Sequence, residues 1–105
     1  MKFNFDDYGE SYVMHCETKE AADTFLSYLH SIGECWCSGI SYIEKTFWDQ
    51  YGDQTCYKFR NRTYSSYGFF QEHGHKILNF YDFDWGLEDV VDFEYSFDQM
   101  LEEDV

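Results

Sequence analysis

One stretch near the start of the chain constrains the fold most, because its apolar residues recur at the spacing of a helix face. The residues of this stripe are Ala22, Phe25, Leu26, Leu29 and Ile32. Thr18 is a good N-cap, and Gly33 suits the left-handed conformation that ends many helices. The sequence therefore predicts a helix over residues 19–32 with one buried face.

Strand patterns surround this helix. Apolar and polar residues alternate, or aromatic and apolar residues cluster between turn residues, over residues 1–5, 11–16, 34–37, 55–59, 62–67 and 75–81. Residues 40–54 show no period and are interpreted as an irregular, aromatic-rich loop, and residues 68–73 as one helical turn. We predict an α+β domain over residues 1–81, with one main helix packed on a mostly antiparallel sheet of about five strands.

The charge balance restricts the partners. The chain has 105 residues with 7 Lys+Arg against 21 Asp+Glu, a net charge of −14. Affinity for nucleic acid depends on positive charge, so we expect no direct nucleic acid partner. A basic protein surface is the partner that this charge would attract, whereas solubility alone is the simpler explanation.

The acidic residues concentrate at the C-terminus. Residues 82–105 carry ten acids and no Lys or Arg, and aromatic residues are interleaved among them, which is not typical of a disordered acidic tail. This segment is interpreted as an acidic extension that packs at first and frays at the end. It could also be an amphipathic segment that folds on a partner, or a solvated acidic face. The predicted partner-binding residues are Asp82, Asp84, Trp85, Glu88, Asp89, Asp92 and Glu94.

Four cysteines indicate a possible metal site. Cys35 and Cys37 form a C-x-C pair whose side chains would share one face of a strand. Cys16 ends the predicted strand before the helix, and Cys56 lies in a predicted strand that could pair nearby. Four thiolates are a common structural zinc site, although the usual C-x-x-C spacing is missing. The alternative is that these cysteines are small buried apolar residues.

Other function classes lack their signatures. No G-x-S-x-G elbow, phosphate-binding glycine loop or cysteine-protease motif is present, so we expect no enzyme activity. No apolar run could span a membrane and no basic-then-apolar segment opens the chain, so we expect no membrane partner and a cytoplasmic location.

Four motifs resemble a group of short proteins encoded by phages and prophages of Gram-positive bacteria. They are His15-Cys16 followed by Thr18-Lys19-Glu20-Ala21-Ala22, then Trp36-Cys37-Ser38-Gly39, then Trp48-Asp49-Gln50-Tyr51 with Thr55-Cys56-Tyr57, and last His75-Lys76-Ile77-Leu78-Asn79-Phe80. The resemblance covers residues 1–81. Cys16, Cys37 and Cys56 match the pattern of the group better than Cys35 does.

In size, charge and cysteine content the chain looks like a type II-A anti-CRISPR protein that carries zinc. The resemblance implies an inhibitor in the cytoplasm of the bacterial host that binds the RNA-guided nuclease and blocks loading of target DNA. The alternative function is a regulatory module that binds a metal or a small molecule.

Overall fold

The computed structural model describes residues 1–85, which form a four-stranded sheet with helices on both faces. The strands are β1 (Tyr12–His15), β2 (Thr55–Lys58), β3 (Thr63–Ser66) and β4 (Lys76–Asn79). The helices are α1 (Lys19–Ser31), α2 (Trp48–Tyr51) and α3 (Tyr67–Glu72). Three short 3-10 turns complete the regular structure of these 85 residues.

The sheet is mixed, with the strand order β3-β2-β1-β4. β2 pairs antiparallel with both β1 and β3, whereas β4 runs parallel to β1. The predicted α+β class is therefore confirmed in its coarse form. The predicted count of about five strands is matched only roughly, since the sheet of residues 1–85 has four. Its pairs are mostly antiparallel, as predicted, but the β1–β4 pair is parallel.

Two predicted strands are absent from the part of the chain that the structure describes. Residues 1–5 alternate because Phe3 and Phe5 are both buried, but Asn4 caps a 3-10 turn at Phe5–Asp7 through a bond from the Asp6 N–H. Residues 34–37 lead into a tight turn in which the Gly39 N–H donates to the Trp36 carbonyl over 2.8 Å. In both places buried aromatic residues alternate with other residues as they do in a strand, although the backbone forms turns.

The main helix is confirmed, with one change at its end. The Thr18 hydroxyl accepts the Ala21 N–H over 3.1 Å, so Thr18 is the N-cap. Gly33 adopts a left-handed conformation with φ of 92°. α1 ends at Ser31, and Ile32 is 44% exposed because it lies at the C-cap, outside the buried stripe.

Alternation along the strands divides the core into two clusters. Met14 of β1 and Cys16, which directly follows β1, face α1 in the larger cluster with Phe25. Val13 and the Phe70 ring of α3 belong to a smaller cluster on the opposite face. The sheet thus lies between α1 and α3, and neighbouring residues of one strand enter different parts of the core.

Candidate functional site

Cys16 and Cys56 lie on opposite faces of the sheet. His15 pairs directly with Cys56, whereas the Cys16 N–H donates to the Thr55 carbonyl over 3.0 Å. Directly paired residues share a face and the next residue points to the other. Cys16 therefore belongs to the α1 cluster and Cys56 to the α3 cluster, and both thiols are fully buried.

The C-x-C pair lies in the turn after α1. Cys35 is half-buried and Cys37 is exposed, while Trp36 between them is buried. Residues 1–85 contain no group of three or more His, Cys, Asp or Glu side chains placed to hold a metal ion. Zinc binding by Cys16, Cys35, Cys37 and Cys56 stays a prediction, and this arrangement gives it no support.

The two buried thiols are held in their neutral form. Burial raises the pKa of Cys16 well above its ordinary value, and the nearby Cys56 thiol adds to the increase. Burial also raises the pKa of Cys56 to about 12. Because only the thiolate is a good nucleophile or metal ligand, both residues behave as small apolar core residues at neutral pH.

The predicted acidic partner-binding residues fall partly within the described chain. Asp82 and Asp84 are exposed. The Trp85 ring instead stacks on Phe80 with centroids 4.8 Å apart, and its indole N–H donates to the Phe80 carbonyl over 2.8 Å. Trp85 therefore covers the core. The other predicted residues, Glu88, Asp89, Asp92 and Glu94, lie outside the described residues.

A groove that the sequence did not indicate as a site lies beside the C-x-C turn. Its volume is about 350 Å³. The turn, the segment formed by Phe47 and α2, and the β2–β3 hairpin supply its walls. The lining residues are Trp36, Cys37, Ser38, Phe47, Tyr51, Arg62, Thr63 and Tyr64. We call this site the aromatic groove.

Packing between rings builds the walls of the aromatic groove. Phe47 and Tyr64 stack with centroids 5.1 Å apart and planes 6° from parallel. Trp36 meets both rings edge to face. Its indole N–H donates to the Lys45 carbonyl over 2.7 Å, which fixes the ring. The Cys37 N–H donates to the Arg62 carbonyl over 3.2 Å and joins the turn to the hairpin.

A buried tyrosine lies behind this wall. The Tyr42 ring meets Trp36 with centroids 4.7 Å apart, and its hydroxyl has no hydrogen-bond partner among the described residues. Burial raises the pKa of Tyr42, the Glu34 carboxylate raises it further, and the Arg62 guanidinium opposes them.

The backbone of the aromatic groove is strained at two positions. Phe47 has φ of 58° and Arg62 has φ of 62°, and in residues 1–85 no other residue except glycine has positive φ. Such a conformation is uncommon for side chains larger than Asn or Asp. Both strained residues line the same groove.

Comparisons of the chain with protein-family models, with curated proteins and with solved structures find no match. Among the helices of residues 1–85, none has the length and apolar character that crossing a membrane requires.

Proposed function

We propose that this chain is a non-enzymatic inhibitor, encoded by a phage or prophage, that binds a basic nucleic-acid-handling protein. The most concrete target is the RNA-guided nuclease of a type II-A CRISPR system in the cytoplasm of the bacterial host. The chain binds the nuclease through its acidic surface and blocks loading of target DNA. The observation that carries the proposal is the surplus of 21 acidic residues over 7 basic ones.

The charge distribution supports this proposal. The chain has 21 acidic residues against 7 basic ones. Asp84 aside, the acids of residues 1–85 make one ion pair, in which Lys19 Nζ and an Asp23 carboxylate oxygen are 3.9 Å apart. Carboxylates without an internal partner remain able to form ion pairs with basic side chains of another protein. Their summed electric field accelerates association with that protein.

The chemistry of the target fits an acidic partner. An RNA-guided nuclease holds its heteroduplex in a positively charged channel and reads the backbone by charge and shape. Spaced carboxylates on a folded domain can occupy such a surface in place of phosphates. The complex then excludes DNA without any reaction, and its affinity falls as salt screens the charges.

Neutralising four acids of the acidic extension is expected to weaken the complex about ten-fold, because each exposed ion pair contributes a few tenths of a kcal/mol. The test variant combines Asp82→Asn, Glu88→Gln, Asp89→Asn and Asp92→Asn. The matched control combines Glu10→Gln, Glu17→Gln, Glu44→Gln and Glu72→Gln, which are exposed residues elsewhere. Biolayer interferometry with the guide-loaded nuclease gives the Kd at several salt concentrations.

The control variant has the same net charge as the test variant, so it separates a local contact from general attraction. It is expected to keep most of the wild-type affinity. Equal affinities for the wild type, the test variant and the control would reject the acidic extension as the contact surface.

A further inference from the structure

The aromatic groove differs in charge from the rest of the molecule. Of its eight lining residues one is cationic, Arg62, and none is acidic, although acids outnumber bases three to one in the whole chain. The Arg62 side chain is exposed and makes no hydrogen bond, ion pair or ring contact with residues 1–85. Its planar guanidinium remains available to a carboxylate, which it can bind through two parallel hydrogen bonds.

The aromatic rings that line the aromatic groove favour a flat apolar group on the ligand. Trp36, Phe47, Tyr51 and Tyr64 present aromatic rings, and their mutual packing holds them in place. The Tyr64 hydroxyl also donates to Gln50 Oε1 over 2.5 Å, which orients its ring. A volume of about 350 Å³ is at the lower end of small-molecule sites and accommodates one or two fused rings.

Backbone strain adds an independent observation. A residue held in the left-handed region costs about 1–3 kcal/mol and is found preferentially at ligand clamps and active sites. The two such residues of the described chain that are not glycine, Phe47 and Arg62, supply one wall and the cation of the same groove. The fold thus keeps an unfavourable backbone conformation at the two residues that would contact a ligand.

We propose that the aromatic groove binds a small aromatic carboxylate, with the ring against Phe47 and Tyr64 and the carboxylate on Arg62. The hydroxyls of Ser38 and Thr63, which also line the groove, can donate to the same carboxylate. The guanidinium would repel a cationic ligand, and a neutral ligand would leave the guanidinium without an anionic partner. This inference does not depend on the inhibitor proposal.

Three probes with one ring system and different charges test the ligand class. Naphthoate, naphthalenemethanol and naphthylmethylammonium are titrated into the full chain, and amide and indole N–H shifts are followed by NMR. Naphthoate is expected to bind about ten-fold tighter than the alcohol, because a charge-assisted pair adds to the same ring contacts. The shifts should centre on Trp36, Arg62 and Tyr64. No saturable binding of naphthoate, or tighter binding of the ammonium probe, would overturn the proposal.

Arg62→Gly tests the role of the guanidinium without damage to the fold, because glycine adopts φ of 62° without steric cost. It should weaken naphthoate binding about ten-fold and leave the alcohol unchanged. Lys76→Gln removes a positive charge from β4, at the opposite edge of the sheet from β3, and should leave both affinities unchanged. An Arg62→Gly variant that folds and binds naphthoate as tightly as the wild type would also overturn the proposal.

Discussion

Raising the pH from 8 to 11 is expected to lower the free energy of unfolding by about 3 kcal/mol through Cys56 alone. Burial raises the pKa of this thiol from its ordinary value of 9.0 to about 12 in the folded state. Above pH 9 the unfolded chain loses the proton while the folded chain retains it, so unfolding becomes more favourable as the pH rises. The loss is complete near pH 12, where the folded thiol also ionises.

Other buried groups act in the same direction. The pKa values of Cys16, Tyr42 and Tyr57 are all raised, with burial as the largest cause in each case. Urea unfolding under reducing conditions at pH 8 and pH 11 measures the total effect, and Cys56→Ala isolates one thiol. This variant should lose about 3 kcal/mol less than the wild type between the two pH values. Equal losses would show that Cys56 ionises normally in the folded protein.

Phe25→Ala is expected to lower the free energy of unfolding by about 3–5 kcal/mol, a large part of the stability of a small domain. Phe25 is fully buried in the middle of α1. Its ring meets Phe3 and Phe59 edge to face, with centroids 5.6 Å and 5.7 Å away. Removing the ring leaves a cavity between α1 and the sheet that these neighbours cannot fill. Urea denaturation followed by circular dichroism measures the change.

Phe69→Ala is the matched control, since it also removes a phenylalanine from a helix. Phe69 of α3 is 46% exposed, and its ring stacks on His73 at the surface. This change should cost less than about 1 kcal/mol, because little apolar area is returned to water. Similar costs for the two substitutions would contradict the assignment of the core to the α1 side of the sheet.

The main helix was predictable because its signals are local. The Thr18 cap, the apolar stripe and Gly33 all lie within one stretch and agree with one another. The parallel pairing of β1 and β4 was not predictable in this way. It joins strands about 60 residues apart. Whether β4 pairs parallel with β1 depends on how α3 covers the sheet after the β2–β3 hairpin.

The cysteine prediction depended on register, which the local sequence does not encode. The interpretation that Cys56 lies on a strand near Cys16 is confirmed. A register in which Cys56 pairs with His15 then places the two thiols on opposite faces. The aromatic groove was missed for a related reason. Arg62 has no intrinsic preference for positive φ, and the lining residues Trp36 and Phe47 come from separate loops.

We propose that this acidic domain inhibits a type II-A RNA-guided nuclease by excluding DNA. The most direct measurement is binding of labelled target DNA to guide-loaded nuclease, with and without prior incubation with the purified chain. We predict that an equimolar amount of the chain prevents DNA binding, and that salt reverses the block as the charges are screened. Unchanged DNA binding in the presence of excess chain at low salt would contradict the claim.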